Sequence, residues 1–314
     1  YTLKFDINQI FQVTKMYDAF RSRPETTFAL LFESDFYNFS QEKCRIIDES
    51  CRFILCMGSQ FVRPVGELAY LKNEFFASHA NDNWFDFLNN NGSRIVSLPA
   101  FVSEHEFSWL PLAERKYLWS IMGARYWARV EGRKLLDENN IKWTGKWLPR
   151  VITLLEKAGI KPFTRPVLQN AINYLFFDAL ESSKYSYTCG SGLGYPIRKF
   201  FEIPARGAVL VCLPCSGLEA LGFIDSINTI TCLPHELIKV NNELNSDPQK
   251  AQAIADAGRN LIWEKHTLAA RARNVEAALQ AIKSGTFSGS YWEKGSFYLV
   301  EKAENGQTNN VEIA

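Results

Sequence analysis

Apolar residues along this chain gather into short continuous runs, and the stretches between the runs carry the three-to-four-residue spacing of helices. Runs at 27–32 (TFALLF), 52–57 (RFILCM) and 94–98 (RIVSL) predict three buried strands in the first third of the chain. Ser40 is placed to cap a helix reaching about residue 50, and helical patterns at 67–76 and 83–90 fill the second interval. After Pro111 and the charged residues Glu114, Arg115 and Lys116, the alternation starts again. Here 117–122 (YLWSIM), 185–188 (YSYT), the run ending at Pro214 and 228–232 (NTITC) predict strands, with helices at 129–136, 149–158 and 166–180. Pro234 opens a helix to about 244, Asp247 with Pro248 launches another to about 263, and Thr267 caps a last one ending before Gly285. Strands alternating with helices imply parallel sheets covered on both faces, here in two successive units. The pattern divides the chain into 1–110, 111–285 and a tail, 286–314, expected to be irregular or extended and loose from 305 on. The first unit opens with little preamble, which suggests an N-terminally incomplete or pared-down domain.

The most informative stretch is 188–214, TCGSGLGYPIRKFFEIPARGAVLVCLP. Gly190, Gly192 and Gly194 allow a sharp turn with exposed amides, and Pro196 stands where a first helical turn tolerates proline. In the helix that follows, Ile197, Phe201 and Ala205 share one side, while Arg198, Glu202 and Arg206 recur at four-residue steps on another. One side packs; the other can meet an anionic ligand or simply face water. Arg125 and Arg129 follow a strand end, where they could reach a phosphate or lie on the surface of a βα turn. Glu33 and Asp35 project to one side at the end of another strand, as a base, as hydrogen-bond acceptors or as a solvated pair. His79 and His105 are further candidates for a base in that half.

Charge narrows the class. The 314 residues include 35 basic and 34 acidic ones, so no overall field favours nucleic acid. No apolar run reaches the roughly 18 to 20 residues needed to span a bilayer, and the opening YTLKFDINQI is no signal-peptide core, so a cytoplasmic location is expected. The seven cysteines sit in apolar settings and read as reduced core thiols. Cys212 and Cys215 form a lone CxxC with no second ligand pair for a metal.

The blocks FE-x-x-A-x-G (Phe201, Glu202, Ala205, Gly207) and HT-x-x-x-R (His266, Thr267, Arg271), in this order over residues 117–283, resemble the C-terminal half of group 1-like glycosyltransferases. The resemblance is to their spore-maturation-type branch. It implies an α/β, GT-B-like fold: two Rossmann-like domains with parallel sheets facing across a cleft, the acceptor on the N-terminal side and the nucleotide-sugar donor on the C-terminal side. It implies sugar transfer to a glycan, surface-polymer or lipid-linked acceptor, with no metal or other cofactor, no nucleic acid and at most peripheral contact with the inner membrane face. In that frame Glu202 would accept from the ribose hydroxyls, amides around Ser191, Gly192, Gly194 and Tyr195 would meet the phosphates, and Arg198, Lys199, Arg125 and Arg129 would balance their charge. Glu33, Asp35 and His79 would be the catalytic candidates, and His266 a packing residue. The paired-glutamate pattern of the retaining members is broken, since Gly194 stands eight residues before Glu202.

Two other readings compete. A dinucleotide-dependent oxidoreductase would want glycine at the sixth position of the turn and an acidic residue about 20 residues on. A non-catalytic nucleotide-sugar-binding or scaffold protein could share the fold without the chemistry. Aromatic residues around Phe61, Tyr70, Phe75 and Phe76 suit either helix packing or contact with a lipid-linked acceptor.

Overall fold

The apolar runs become parallel strands in two sheets. The structure, a computed structural model, describes residues 2–4, 28–32, 40–58, 86–87, 90–190, 194–303 and 306–313. In the first sheet β1 (Thr2–Lys4), β2 (Phe28–Phe32), β3 (Phe53–Met57) and β4 (Ile95–Leu98) lie side by side in chain order, all parallel. The side chain of Ser40 accepts from the Lys43 amide and starts α1 (Gln41–Ser50), as its position predicts. Glu33, Asp35, His79, the 67–76 helix and the aromatic cluster around Tyr70 lie outside the described residues.

The second sheet has the order β6-β5-β7-β8-β9 and is again wholly parallel. Its members are β5 (Tyr117–Ser120), β6 (Trp143–Thr144), β7 (Ser183–Thr188), β8 (Val209–Cys212) and β9 (Ile230–Thr231). Strand β8 is buried along its whole length because helices cover both faces. Val209 and Val211 pack into one apolar cluster with Trp119, Tyr185 and Tyr187, while Leu210 and Cys212 pack into the other with Phe200 and Phe201. Alternation of side chains along a strand requires this division. The two-residue edge strand β6 was too short to register as an apolar run. The run at 228–232 shrinks to β9 because the Asn228 side chain holds a turn, accepting from the Ile224 amide and donating to the Gly222 carbonyl.

The helices follow their signals. They are α2 (Trp127–Glu138), α3 (Leu148–Lys157), α4 (Pro166–Glu181), α5 (Lys199–Ala205), α6 (Leu237–Ser246), α7 (Pro248–Lys265) and α8 (Leu268–Ser284). Asp247 caps α7 through the Lys250 amide, Thr267 caps α8 through the Ala270 amide, and Gly285 ends α8 in the left-handed region at φ 81°. Helix α5 begins at Lys199, so Pro196 precedes the helix instead of opening it.

The tail is extended, one of the two forms expected, but it is not loose after 305. Residues 286–314 include an antiparallel three-stranded sheet, β10 (Phe287–Glu293), β11 (Ser296–Lys302) and β12 (Thr308–Ile313). Its inner side chains Phe287, Trp292, Phe297 and Leu299 join the same apolar cluster as Phe53, Val96 and Leu98 of the first sheet. Strand β4 is the edge of that sheet, and an unpaired edge exposes backbone donors and acceptors. Ser290 Oγ accepts from the Ser97 amide at 2.8 Å and donates to the Ile95 carbonyl, and the Trp292 indole donates to the Ser97 carbonyl. Side chains of β10 thus cover the edge of β4.

The two units also meet where α7 turns into α8. The Val102 amide donates to the His266 carbonyl and the Leu268 amide to the Val102 carbonyl. Arg271 donates to the carbonyls of Pro99, Ala100 and Lys265 and, through Nη2, to His266 Nδ1 at 2.7 Å. An arginine only donates, so His266 Nδ1 must be the acceptor and the proton sits on Nε2, which donates to the Leu221 carbonyl at 2.8 Å. Burial, with Arg271 adding, holds the imidazole well below its usual pKa. The HT-x-x-x-R block is therefore a junction, with His266 in the packing role expected for it.

Candidate functional site

A cavity of about 720 Å³ opens beyond the carboxyl ends of β5 and β7, where parallel sheets place ligands. One wall is the turn after β5, Met122 to Arg125; a second is α5, with Arg198, Lys199 and Glu202. The remaining sides come from α3 and α4, including Thr153, Glu156, Asn173 and Phe176.

The turn after β5 carries positive charge inward. Gly123 has φ 101°, and a Cβ there would fall onto Arg129 Nη1 and lie 2.6 Å from Lys199 Cε. The missing side chain is what lets the two cations converge across the backbone. Arg129 is buried rather than on the surface; it donates to the Met122 carbonyl and to Cys189 Sγ, and its guanidinium lies over the Tyr126 ring. Arg133, one helical turn further along α2, donates to the carbonyls of Ile121 and Gly123. Burial, with Arg129 and Arg125 adding, brings its pKa down to about 10. Burial also lowers the pKa of Lys199; Glu202 opposes the shift and Arg129 adds to it. Among the described residues no carboxylate forms an ion pair with Arg125, Arg129, Arg133 or Lys199. Cations held this way stabilise the protein poorly without an anion.

The wall formed by α5 has the opposite balance. Arg198 Nε donates to Glu202 Oε1 at 2.7 Å, and Arg198 Nη2 donates to both oxygens of Glu106 at 2.9 Å. Both carboxylates are buried. Burial alone would lower the pKa of Arg198, but Glu202 and Glu106 outweigh it and raise the value. Two carboxylates match one guanidinium, so Arg198 has no charge left for a phosphate. Arg198 fixes Glu202 Oε1 and leaves Oε2 without a protein donor among the described residues.

The glycine turn is described only in part. Ser191 and Gly192 lie outside the described residues. The Gly194 amide donates to the Gly190 carbonyl, closing the turn on itself, and a Cβ at Gly190 would come within 2.9 Å of Tyr195 N. Tyr195 is in the core. The Phe200 and Phe201 amides donate to Ile197 and Arg198. The described amides of Gly194, Phe200 and Phe201 are thus occupied internally, and side-chain cations dominate the wall opposite.

Of the predicted residues, the cavity brings together Arg125, Lys199, Arg198 and Glu202 on its lining, with Arg129 directly beneath. His105 is exposed on a turn, next in sequence to Glu106. Sequence reasoning missed Glu106, Arg133 and the inner sides of α3 and α4. Arg133 had a signal, since Arg125, Arg129 and Arg133 repeat at four-residue steps. Glu106 had none, being 92 residues from the arginine it meets.

Comparison with known proteins bears on the fold. Residues 173–277 match the family model described as glycosyl transferase-like. No curated protein matches the sequence. Sucrose-phosphate synthase from Thermosynechococcus elongatus superposes with a TM-score of 0.54 at 10% identity, covering 88% of this chain and 79% of that one. HepE from Anabaena, solved in complex with UDP, gives 0.51 at 12% identity over 86% of this chain and 82% of its own. A glycosyltransferase from Rickettsia africae gives 0.51 at 12% identity over 90% and 83%. At such identities the likeness is one of fold, and the fold is GT-B. No helix among the described residues is long and apolar enough to cross a membrane.

Proposed function

We propose that this protein is a glycosyltransferase that binds a nucleotide-sugar donor in the cavity between α5 and the turn after β5, and passes the sugar to a glycan, surface-polymer or lipid-linked acceptor. The observation that carries the reading is the division of the cavity into a cationic wall and an acidic one. A nucleoside diphosphate has the complementary division. Its phosphates suit Arg125, Arg129, Arg133 and Lys199, and its ribose hydroxyls can donate to Glu202 Oε2. Phe176, at 5.0 Å from Lys199 Nζ, offers an apolar face to the rest of the nucleotide.

As the glycosidic bond to the donor breaks, negative charge grows on the departing diphosphate. Fixed cations aimed at that position stabilise it before the reaction starts, so the charge needs no rearrangement of solvent. This supports metal-independent transfer. The finer placement in the spore-maturation-type branch rests on the FE-x-x-A-x-G and HT-x-x-x-R blocks, and a cytoplasmic location remains part of the proposal. Glu33, Asp35 and His79 remain the proposed candidates for the base on the acceptor side.

The test is calorimetry of the purified chain with UDP, GDP, CMP, TDP, ADP and NADH, with chelator present. Selective binding of one nucleoside diphosphate, lost on Arg129→Ala, is the expected result. Selective NADH binding would replace this reading with a dinucleotide enzyme, and tight nucleotide binding without turnover of any sugar donor would replace it with a scaffold.

A further inference from the structure

From the geometry of α3 and its surroundings we infer that this face of the protein docks on an anionic lipid bilayer. The net charge of the whole chain is +1, yet residues 142–165 hold six basic residues and a single acidic one, Glu156. Lys146 pairs with Asp137; no described carboxylate forms an ion pair with Lys142, Arg150, Lys157, Lys161 or Arg165. The excess is local and it faces solvent.

Among these cations the apolar side chains point outward too. Trp147, Val151 and Leu154 follow one another at steps of four and three, which places them on one side of α3, and Leu154 is 67% exposed. On the start of α4, Val167 is 80% exposed, and Val130 of α2 is exposed beside Leu154. Helix α3 follows the edge strand β6 in the chain, and Leu148 is its one deeply buried described side chain. Water is a poor partner for such a surface. A hydrophilic polyanion would answer the cations and leave Trp147 and Leu154 wet. An anionic bilayer answers both, since apolar side chains enter the acyl boundary while Lys and Arg reach the headgroups.

The placement also suits the proposed chemistry. A groove of about 500 Å³ between α2 and α3, lined by Arg133, Arg150, Leu154 and Lys157, shares Arg125 and Thr153 with the donor cavity. A bilayer held against α3 would present a lipid-linked acceptor beside that cavity. This last consequence rests on the transferase reading; the docking itself does not.

The experiment is co-sedimentation of the whole chain with vesicles of phosphatidylcholine, alone or mixed equally with phosphatidylglycerol, followed by tryptophan fluorescence of the chain against its Trp147→Phe variant, since the chain has eight tryptophans. Binding to the mixed vesicles only, weakened by salt and with a blue shift, is expected. Lys157→Glu and Lys161→Glu should each weaken it roughly fivefold or more, and Leu154→Asp should remove most of it. All three positions are exposed, so the melting temperature and the nucleotide affinity of each variant serve as controls and should not move. Equal binding to neutral vesicles, or none to either, overturns the docking. So does a soluble polyanion that binds the Leu154→Asp variant as tightly as the parent chain. Vesicle binding without nucleotide binding would overturn the transferase reading and leave this one standing.

Discussion

Two buried arginines do opposite work in this fold. Arg271 is 3% exposed and Arg129 is 1% exposed. Arg271 has an acceptor for each of its nitrogens: three backbone carbonyls and the His266 ring. Burial brings its pKa down to about 9, but each of its three nitrogens has an acceptor. Arg129 has one carbonyl and one thiol among the described residues, and it points over Gly123 toward a cavity. Burial therefore does not distinguish these two cations; the count of acceptors does, and on the proposed reading it marks Arg129 as the one left for a ligand.

The largest effect expected from breaking this comparison is Arg271→Ala, which removes the side-chain part of the junction between the two units and leaves several buried acceptors empty. A loss of roughly 3–5 kcal/mol in urea unfolding is expected. Arg129→Ala should cost little stability, yet weaken a nucleoside diphosphate about 100-fold in calorimetry, roughly 3 kcal/mol. If the two variants behaved alike, the distinction would fail. Gly123→Ala comes next. Its Cβ would displace Arg129 and Lys199 together, so diphosphate affinity should fall at least tenfold while a bare nucleoside binds nearly as before. A smaller change is expected for Glu202→Gln, about tenfold for nucleoside and nucleotide alike. Arg198→Ala should match that loss for both, because it acts through Glu202; a loss confined to phosphate-bearing ligands would return Arg198 to the phosphates.

The mildest effects are in pH. Lys199 has a depressed pKa in the free protein, and an anion prefers it charged. Diphosphate affinity should thus weaken as pH rises through that lowered value, with a flatter profile for Lys199→Met. His266 is neutral when folded, and its pKa is depressed below the unfolded 6.5. The unfolded chain then takes up a proton that the folded chain refuses, so stability falls as pH drops below about 6.5, by at most about 1.4 kcal/mol per unit. His266→Gln should show a shallower slope in the same titration.

What the sequence made legible was local. Ser40, Asp247 and Thr267 cap the helices they were expected to cap, because a cap needs an amide three residues away. Buried runs such as 209–212 became strands for the same reason of locality. The pairing of Arg198 with Glu106 spans 92 residues, and no pattern within either neighbourhood encodes it. The tail was legible only in part, for a related reason. Ser290 and Trp292 look polar or irregular in their own segment, and their partners are the backbone of β4, about 195 residues earlier. Gly194 looked like a donor of its amide to a ligand, but the turn it permits uses that amide first.

The covering of β4 by β10 sets a schedule for the making of the protein. Ser97 and Ser290 are 193 residues apart, so synthesis at about 5–20 residues per second leaves the β4 edge bare for roughly 10–40 seconds. Through that interval the nascent first unit has its apolar strands in hand but not the side chains that shield their rim. Its maturation must wait for, or be chaperoned until, translation has delivered the segment that seals it.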